Sequence, residues 1–527
     1  MPDDEVIPLS RFRAALARAR RGRRAEAILA EPDAARLVPL LPVQELYYAI
    51  EEVGLADAGE LVALATPEQV QGLIDLDAWE RDRLDEAKMR GFIDALVEAG
   101  PSKLAQTVDA MDPELVALYL QRQLRVYDLT VEEPVPDEAA GHYYPTPDRF
   151  FLLDILPAGE EGKSLERMID YLYRADLEMA RRVVMSARWE LASDLEEHSY
   201  RWRAGRMADL GYADFYEALA IYKYLDPATV RLDDTQPNVA AQASPASLPV
   251  QLAAVLDTQS GFARALATLP DEAEIERLQG LLLVLVNRAM AADRVEPADL
   301  EGAKRTLTRA VGYLGLGLAY LSREDPARAA EALRSVALER IFRVGFSLMY
   351  KLRALAEALS LKGFVQLEGA STLLLDPPYS DLFERLRRLR PDPFSSLAEI
   401  RDAATALEEA AKIGPAVLAL AGGREAVDRA VDAAVNPREE IRFGTLVRTA
   451  AANALFGRAL SVAPLHPREL RQVAGKLSGA ELPPELRAQI ATALGALPPH
   501  LIDPWLVDFG ARLAEPGGVL VRYSWLK

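Results

Sequence analysis

Residues 189–224 read WELASDLEEHSYRWRAGRMADLGYADFYEALAIYKY, with eight aromatic side chains in 36 positions of a chain that is 7% aromatic overall. Two of the five tryptophans, Trp189 and Trp202, fall here, with His198, one of four histidines. The spacing predicts a helix. Leu191, Leu195, His198 and Trp202 recur at i, i+4, i+7 and i+11 and form one face, expected to be buried. Glu190, Asp194, Glu197 and Arg201 form another, in steps that allow ion pairs. Gly211 ends the helix. Asp214 with Glu217 then reads as a capping box for a second helix, which turns Phe215, Ala218, Leu219 and Tyr222 inward. Aromatics in this number cannot all stay in water, so the expectation is that His198 and Trp202 are mostly buried. Arg201, Arg203 and Arg206 are expected to pair with the protein's own carboxylates.

The same helical grammar extends outward in both directions. Leu41-Pro42, Thr66-Pro67-Glu68 and Asp112-Pro113-Glu114 each open a short apolar-periodic run, since proline at the first helical turn removes an N–H that would be unpaired there anyway. The signal returns at Asp226-Pro227, Glu296-Pro297, Asp325-Pro326, His466-Pro467 and Pro483-Pro484. Residues 165–186 continue the pattern with Leu165, Met168, Ile169, Leu172, Ala175, Met179 and Val183 on one side. The fold class read from this is all-α: irregular stacked helical hairpins, superhelical and partly tetratricopeptide-like around 303–336. The sequence HYYPTPDRFFLLDI breaks the pattern and predicts one small β-hairpin near 142–156. The organisation expected is an N-terminal helical-hairpin domain over 1–130, a linker and hairpin over 131–163, and an aromatic-rich helical segment over 164–230 packed on the N-terminal domain. A linker over 231–249 and a C-terminal helical domain over 250–527 complete it.

Composition narrows function. The 527-residue chain carries 61 basic and 80 acidic side chains for a net charge of -19, which disfavours general nucleic-acid binding. It has no cysteine, which excludes disulfides and thiolate chemistry and fits a reducing cytoplasm. Its first ten residues, MPDDEVIPLS, lack the apolar core of a secretory signal. The longest apolar run, 310–321, is too short to span a bilayer, so no transmembrane segment is expected. An Arg-rich helix over 9–29 offers Arg18, Arg20, Arg21, Arg23 and Arg24 to an anionic partner, against the plainer reading that it pairs with the chain's own acids.

Chemical motifs are few. GYLGLG at 312–317 follows no strand and sits in a helical run, so it is no dinucleotide loop. The acids of 73–85, LIDLDAWERDRLD, lack the glycine and spacing of a calcium loop and read instead as a loop-to-helix junction with ion pairs. Asp194 and His198 at i, i+4 make half of a metal site; no metal, cofactor or catalytic residue is assigned. The best remaining constellation is Glu196, Glu197, Tyr200, Arg201, Arg203 and Arg206, which would suit an enzyme or an anion-binding protein. The reading preferred is a non-catalytic scaffold that binds another protein.

Three blocks carry a resemblance. DLDAWERDRL (75–84), YRWRAGRMADLGYADFYEALAIYKYLDP (200–227) and LERIFRVGFSLMYKLR (338–353) resemble the bacterial domain-of-unknown-function family DUF6178. Their order along the chain implies that the likeness covers nearly all of it, and the family brings no established activity. Residues 33–129 are also similar to the helical N-terminal domain of magnesium transporters, through their Pro-Glu-Xaa-Leu/Val openings, although no membrane segments follow.

The first test is of fold class. Far-UV circular dichroism is expected to show dominant helix, and a strand content above about a quarter of the chain would overturn the assignment.

Overall fold

The computed structural model describes residues 12, 13, 16, 18, 19, 23–131, 142–232, 248–256, 260–359, 374–437, 440–477, 481–495 and 497–522. Helix dominates the described residues, as the periodicity predicts, and their strands form two small antiparallel sheets. The prolines stand at helix starts. Helix α1 (Val43–Glu51) follows Pro42, and α2 (Pro67–Asp77) is closed by a capping box. There Thr66 Oγ1 accepts from Gln69 N at 3.1 Å while Gln69 Oε1 accepts from Thr66 N at 2.8 Å. A two-residue pair of strands, β1 (Trp79–Glu80) and β2 (Arg83–Leu84), turns the chain through Arg81 in a left-handed conformation, φ 58°. Helix α3 (Glu86–Ala99) starts on the Asp85 cap, α4 (Pro101–Ala110) on Pro101, and α5 (Pro113–Gln123) on Pro113. At Glu296-Pro297 the proline lies in the turn, and the helix begins later, at Leu300.

The hairpin expected near 142–156 is present as β4 (His142–Pro145) and β5 (Phe151–Ile155), paired His142↔Ile155 to Pro145↔Leu152. A third strand joins them. Directly after α5 the chain extends into β3 (Leu124–Asp128), paired Leu124↔Ile155 to Asp128↔Phe151, for a sheet order β3-β5-β4. The sequence places these residues in a helical-hairpin domain over 1–130 and predicts strands only near 142–156. Val126 and Tyr127 suit a pleated surface, and β5 supplies the partner that a local reading cannot see.

Helix α6 (Glu160–Ala175) buries Leu165, Met168, Ile169 and Leu172 as expected, whereas Ala175 is exposed. The run 165–186 is two helices. The chain breaks at Asp176, whose carboxylate accepts from Met179 N at 2.9 Å and starts α7 (Leu177–Trp189). Helix α7 covers the free edge of β3: Arg188 donates to Val126 O, and Arg181 donates to Asp148 at 2.7 Å while lying 4.1 Å over the Phe150 ring. Helix α8 (Ala192–Asp209) follows. Tyr212 N donates to Met207 O at 2.8 Å across Gly211, φ 93°, which closes α8 where the sequence predicts. A side chain at Gly211 would also strike the backbone of Val284.

By internal contacts the chain groups into two units. The first takes Met1–Lys223, Arg231–Leu314 and Leu321–Arg343; the second takes Tyr224–Val230, Gly315–Tyr320 and Val344–Lys527. The expected linker, 231–249, begins where the grouping passes from the second-unit stretch Tyr224–Val230 back to the first unit; its residues 233–247 lie outside the described residues. In the first unit, α5 packs against both α7 and α8, α4 against α6, and α1 against α2. Helix α9 (Glu272–Asp293) returns to α1 through a buried polar lock. Gln44 Nε2 donates to Tyr212 Oη at 2.9 Å, and Asn287 Nδ2 donates to Gln44 Oε1 at 3.0 Å and to Leu210 O. The N-terminal arginines are anchored too: Arg13 pairs with Glu45 at 2.6 Å and Arg24 with Glu52.

The second unit surrounds one helix, Phe443–Phe456, which is buried on nearly every side from Phe443 to Asn453. Its polar stripe holds the end of the chain: Thr445 Oγ1 donates to Gly517 O at 2.7 Å, and Thr449 Oγ1 accepts from Leu520 N at 2.8 Å. Trp505 is 5% exposed and donates to Asp376 at 3.1 Å. Trp525 lies outside the described residues.

The bonds across 231–249 make a prediction. With the backbone cut at a protease site engineered between Arg231 and Leu248, the fragments are expected to elute together from size exclusion under native conditions. Gln44 to Asn287 and Arg13 to Leu248 O, 2.7 Å, join the two sides of the cut. Separate elution would show that the 250–527 region is an independent domain.

Candidate functional site

Asp75 lies on the packed side of α2 and is 1% exposed. A buried carboxylate needs charged and hydrogen-bonded partners. It receives them from α8. Arg206 Nε donates to Asp75 Oδ2 at 2.6 Å and Nη2 to Oδ1 at 3.1 Å. The same guanidinium reaches Asp112 at the start of α5, with Nη1 to Oδ1 at 3.0 Å and Nη2 to Oδ2 at 2.7 Å. Gln71 completes the cluster: its Nε2 donates to Asp75 at 3.1 Å and its Oε1 accepts from Asp112 N at 3.2 Å. Burial holds the Asp75 carboxyl above its ordinary range against the opposing pull of the Arg206 fork.

The neighbouring arginines are also occupied. Arg203 Nε donates to the Asp75 carbonyl at 2.8 Å and Nη1 to the Arg81 carbonyl at 3.3 Å, with the guanidinium 5.3 Å from the Trp79 ring centre. Tyr200, 39% exposed, stands against the same indole at 6.4 Å. Arg201 forms an outward i, i+4 pair with Glu197 at 2.9 Å. Glu196 accepts from Arg122 of α5 at 2.8 Å. The expected residues thus divide. Arg203, Arg206 and Tyr200 join the contact with α2 and the β1–β2 turn, Glu196 ties to α5, and Glu197 with Arg201 stands in solvent. Sequence reasoning missed Asp75 and Asp112 as the acids that Arg206 answers. The available signal was an aspartate between Ile74 and Leu76 on the apolar side of α2.

This contact reverses the expectation for α8. Its inward residues are Leu195, Ser199, Arg203, Arg206 and Met207, roughly a quarter-turn from the face that the aromatic spacing suggests. Leu191 is 67% exposed, Trp202 58% and Trp189 63%, and His198 is exposed. Only Leu195 of the expected apolar face is buried. The physical reason is that charge decides the roll: rotating Trp202 inward would take Arg206 off a buried carboxylate.

Beside Trp189, at the end of α7, lies an open concavity of about 380 Å³ lined by Gln121, Arg125, Val126 and Arg188. Gln121 Nε2 caps the last carbonyls of α7, donating to Ala187 O at 3.0 Å and Glu190 O at 2.9 Å. Among the described residues no group of three or more His, Asp or Glu is placed to hold a metal ion. None of the described helices is long and apolar enough to cross a membrane. Of the arginines read as available to an anionic partner, Arg24 is buried on Glu52, Arg18 and Arg23 are exposed, and Arg20 and Arg21 lie outside the described residues.

A family model matches residues 3–513. The chain belongs to DUF6178, a family of unknown function. No curated protein and no solved structure matches it. The resemblance carried by the blocks at 75–84, 200–227 and 338–353 is therefore shown for DUF6178, while the likeness to magnesium transporters finds no counterpart in these comparisons. Two of those three blocks supply the cluster just described: Asp75 and Trp79 come from the first, Tyr200, Arg203 and Arg206 from the second.

Two substitutions separate the faces of α8. Arg206→Ala strands Asp75 and is expected to cost about 3 kcal/mol in thermal or denaturant melts, at the low end for a broken buried pair because Arg206 is one-third exposed. Trp202→Ala is expected to cost under about 1 kcal/mol, as for a surface position. Comparable losses would return Trp202 to the core.

Proposed function

We propose that this chain is a non-catalytic helical interaction protein of a bacterial cytoplasm, and that it engages another protein through the outer face of α8 and the adjoining end of α7. One observation carries the reading. Helix α8 packs inward through Leu195, Ser199, Arg203, Arg206 and Met207 and leaves a second line of large side chains in solvent. Leu191, His198 and Trp202 follow one another along the solvent side, with Trp189 at the turn that precedes them. Large side chains scattered singly on a surface need no explanation, but Trp202 stands on α8 in line with Leu191, and an exposed indole with an aliphatic neighbour along one helix is a common anchor of protein interfaces. The lack of cysteine is compatible with a reducing compartment.

Catalytic or anion-binding use of Glu196, Glu197, Arg201, Arg203 and Arg206 gains less support. Arg206 spends every guanidinium nitrogen on Asp75 and Asp112, Arg203 is held by two carbonyls, and Arg201 is matched by Glu197.

A photo-crosslinking residue placed at 202, and separately at 191, tests the proposal in cells that make the protein. Position 425, a glutamate whose side chain is 92% exposed, serves as the control. Discrete protein adducts are expected at 202 and 191 above the control. Equal labelling at all three positions would remove the interface reading.

A further inference from the structure

Resting on the interaction reading above, we infer that the segment that docks on α8 is cationic and amphipathic, a stretch of another protein that sets Lys or Arg side chains beside large apolar ones. The argument begins with which charges on this ridge are already answered. Every arginine of α8 is engaged by the protein itself: Arg201 by Glu197, Arg203 by the Asp75 and Arg81 carbonyls, Arg206 by Asp75 and Asp112. Arg188 at the end of α7 is held by Val126 O and lies 4.5 Å over the Trp189 ring. The acids differ. Glu190, Asp194 and Asp209 are exposed, and none makes an ion pair among the described residues. The Asp194 carboxylate accepts only from Ser193 Oγ, at 3.2 Å, so the ridge offers indole and aliphatic surface bordered by acids that no cation pairs among the described residues.

Geometry places these groups together. At 3.6 residues per turn, Leu191, Asp194, His198, Trp202, Gly205 and Asp209 fall on one arc of α8, and Leu191 to Trp202 spans about 16 Å, the length of three helical turns. Nothing lies within 4 Å of the position where a side chain at Gly205 would begin, so the backbone beside Trp202 is open to close approach. A basic side chain arriving here can lay its aliphatic stem on an indole and bring its charge to Asp194 or Asp209. The protein uses the same pairing internally, with Arg203 over Trp79 and Arg188 over Trp189. A net charge of -19 steers cationic segments toward the chain from a distance.

Charge also excludes two other occupants. A second copy would set Glu190, Asp194 and Asp209 against the same three acids, and an anionic lipid surface would meet them with its own sign.

The probe is a Lys–Leu amphipathic helical peptide of roughly five turns, compared with its Glu–Leu counterpart on the full-length protein by titration calorimetry and tryptophan fluorescence. The Lys–Leu peptide is expected to bind, more weakly as salt rises, with a blue shift of indole emission. Trp202→Ala is expected to weaken it roughly 30-fold, the scale of a tryptophan anchor. Asp194→Lys is expected to weaken it about tenfold, and the gentler Asp194→Asn to act in the same direction, both with unchanged melting curves. Lys–Leu binding that ignores these substitutions overturns the inference. So does Glu–Leu binding that depends on Trp202, or self-association abolished by Trp202→Ala; in those two cases the ridge is still an interface and only its occupant is wrong. No Trp202-dependent binding of either peptide, with no crosslinking at 202 or 191, would remove the interface reading as well.

Discussion

The pairing of Arg206 with Asp75 and Asp112 governs the half of the first unit built from α2, α5 and α8. An aspartate that is 1% exposed leaves the fold little freedom. A buried charge without a partner costs more than any single apolar contact returns, so the helix that carries its counterion must present that counterion first and its hydrophobic groups second. Helix α8 does so. Its roll follows from Arg206, and three consequences come from the roll: Arg203 reaches the carbonyls at the end of α2, Tyr200 meets Trp79, and Leu191, His198 and Trp202 are left facing water.

That hierarchy explains where the sequence was legible. Amphipathic runs with one apolar side were read with the right face, as in α6 with Leu165, Met168, Ile169 and Leu172 inward. Proline-opened starts at 42, 67 and 113 were legible because the cause is local: a missing N–H and a fixed φ. The β4–β5 hairpin was legible from its Pro-Thr-Pro-Asp turn. The break at Asp176 was hidden inside a continuous apolar spacing, and β3 needed a strand almost thirty residues away in sequence. The face of α8 was misread for a different reason. Period alone cannot rank two apolar faces of one helix, and the ranking was set by an aspartate more than a hundred residues upstream. The candidate cluster was recognised as a group of residues, but not as a joint, because both carboxylates that define it lie on other helices.

A helix that leaves large apolar groups in water beside its packed face is poor design for a chain that meets only water. The inner side of α8 serves the fold. The outer side adds nothing to the stability described here and exposes two indoles, if the Trp189 that precedes the helix is counted with Trp202. In a family of unknown function, such a surplus is the kind of feature by which a physical reading can point to function. It is surface that folding does not require.

The lock between Gln44 and Asn287 bears on how the chain is made. Its members stand 243 residues apart, and Gln44 is 2% exposed once the lock is closed. At about 5–20 residues per second, a ribosome takes on the order of 10–50 s to travel from one to the other. Through that interval α1 has left the ribosome while the helix that satisfies its buried amide has yet to be synthesised. The N-terminal hairpins must wait, half-finished, with an apolar and partly polar face open to whatever is nearby. The order of synthesis thus turns one hydrogen-bonded pair into a window of vulnerability, closed when α9 emerges, and makes the nascent chain a natural client for factors that shield unfinished domains.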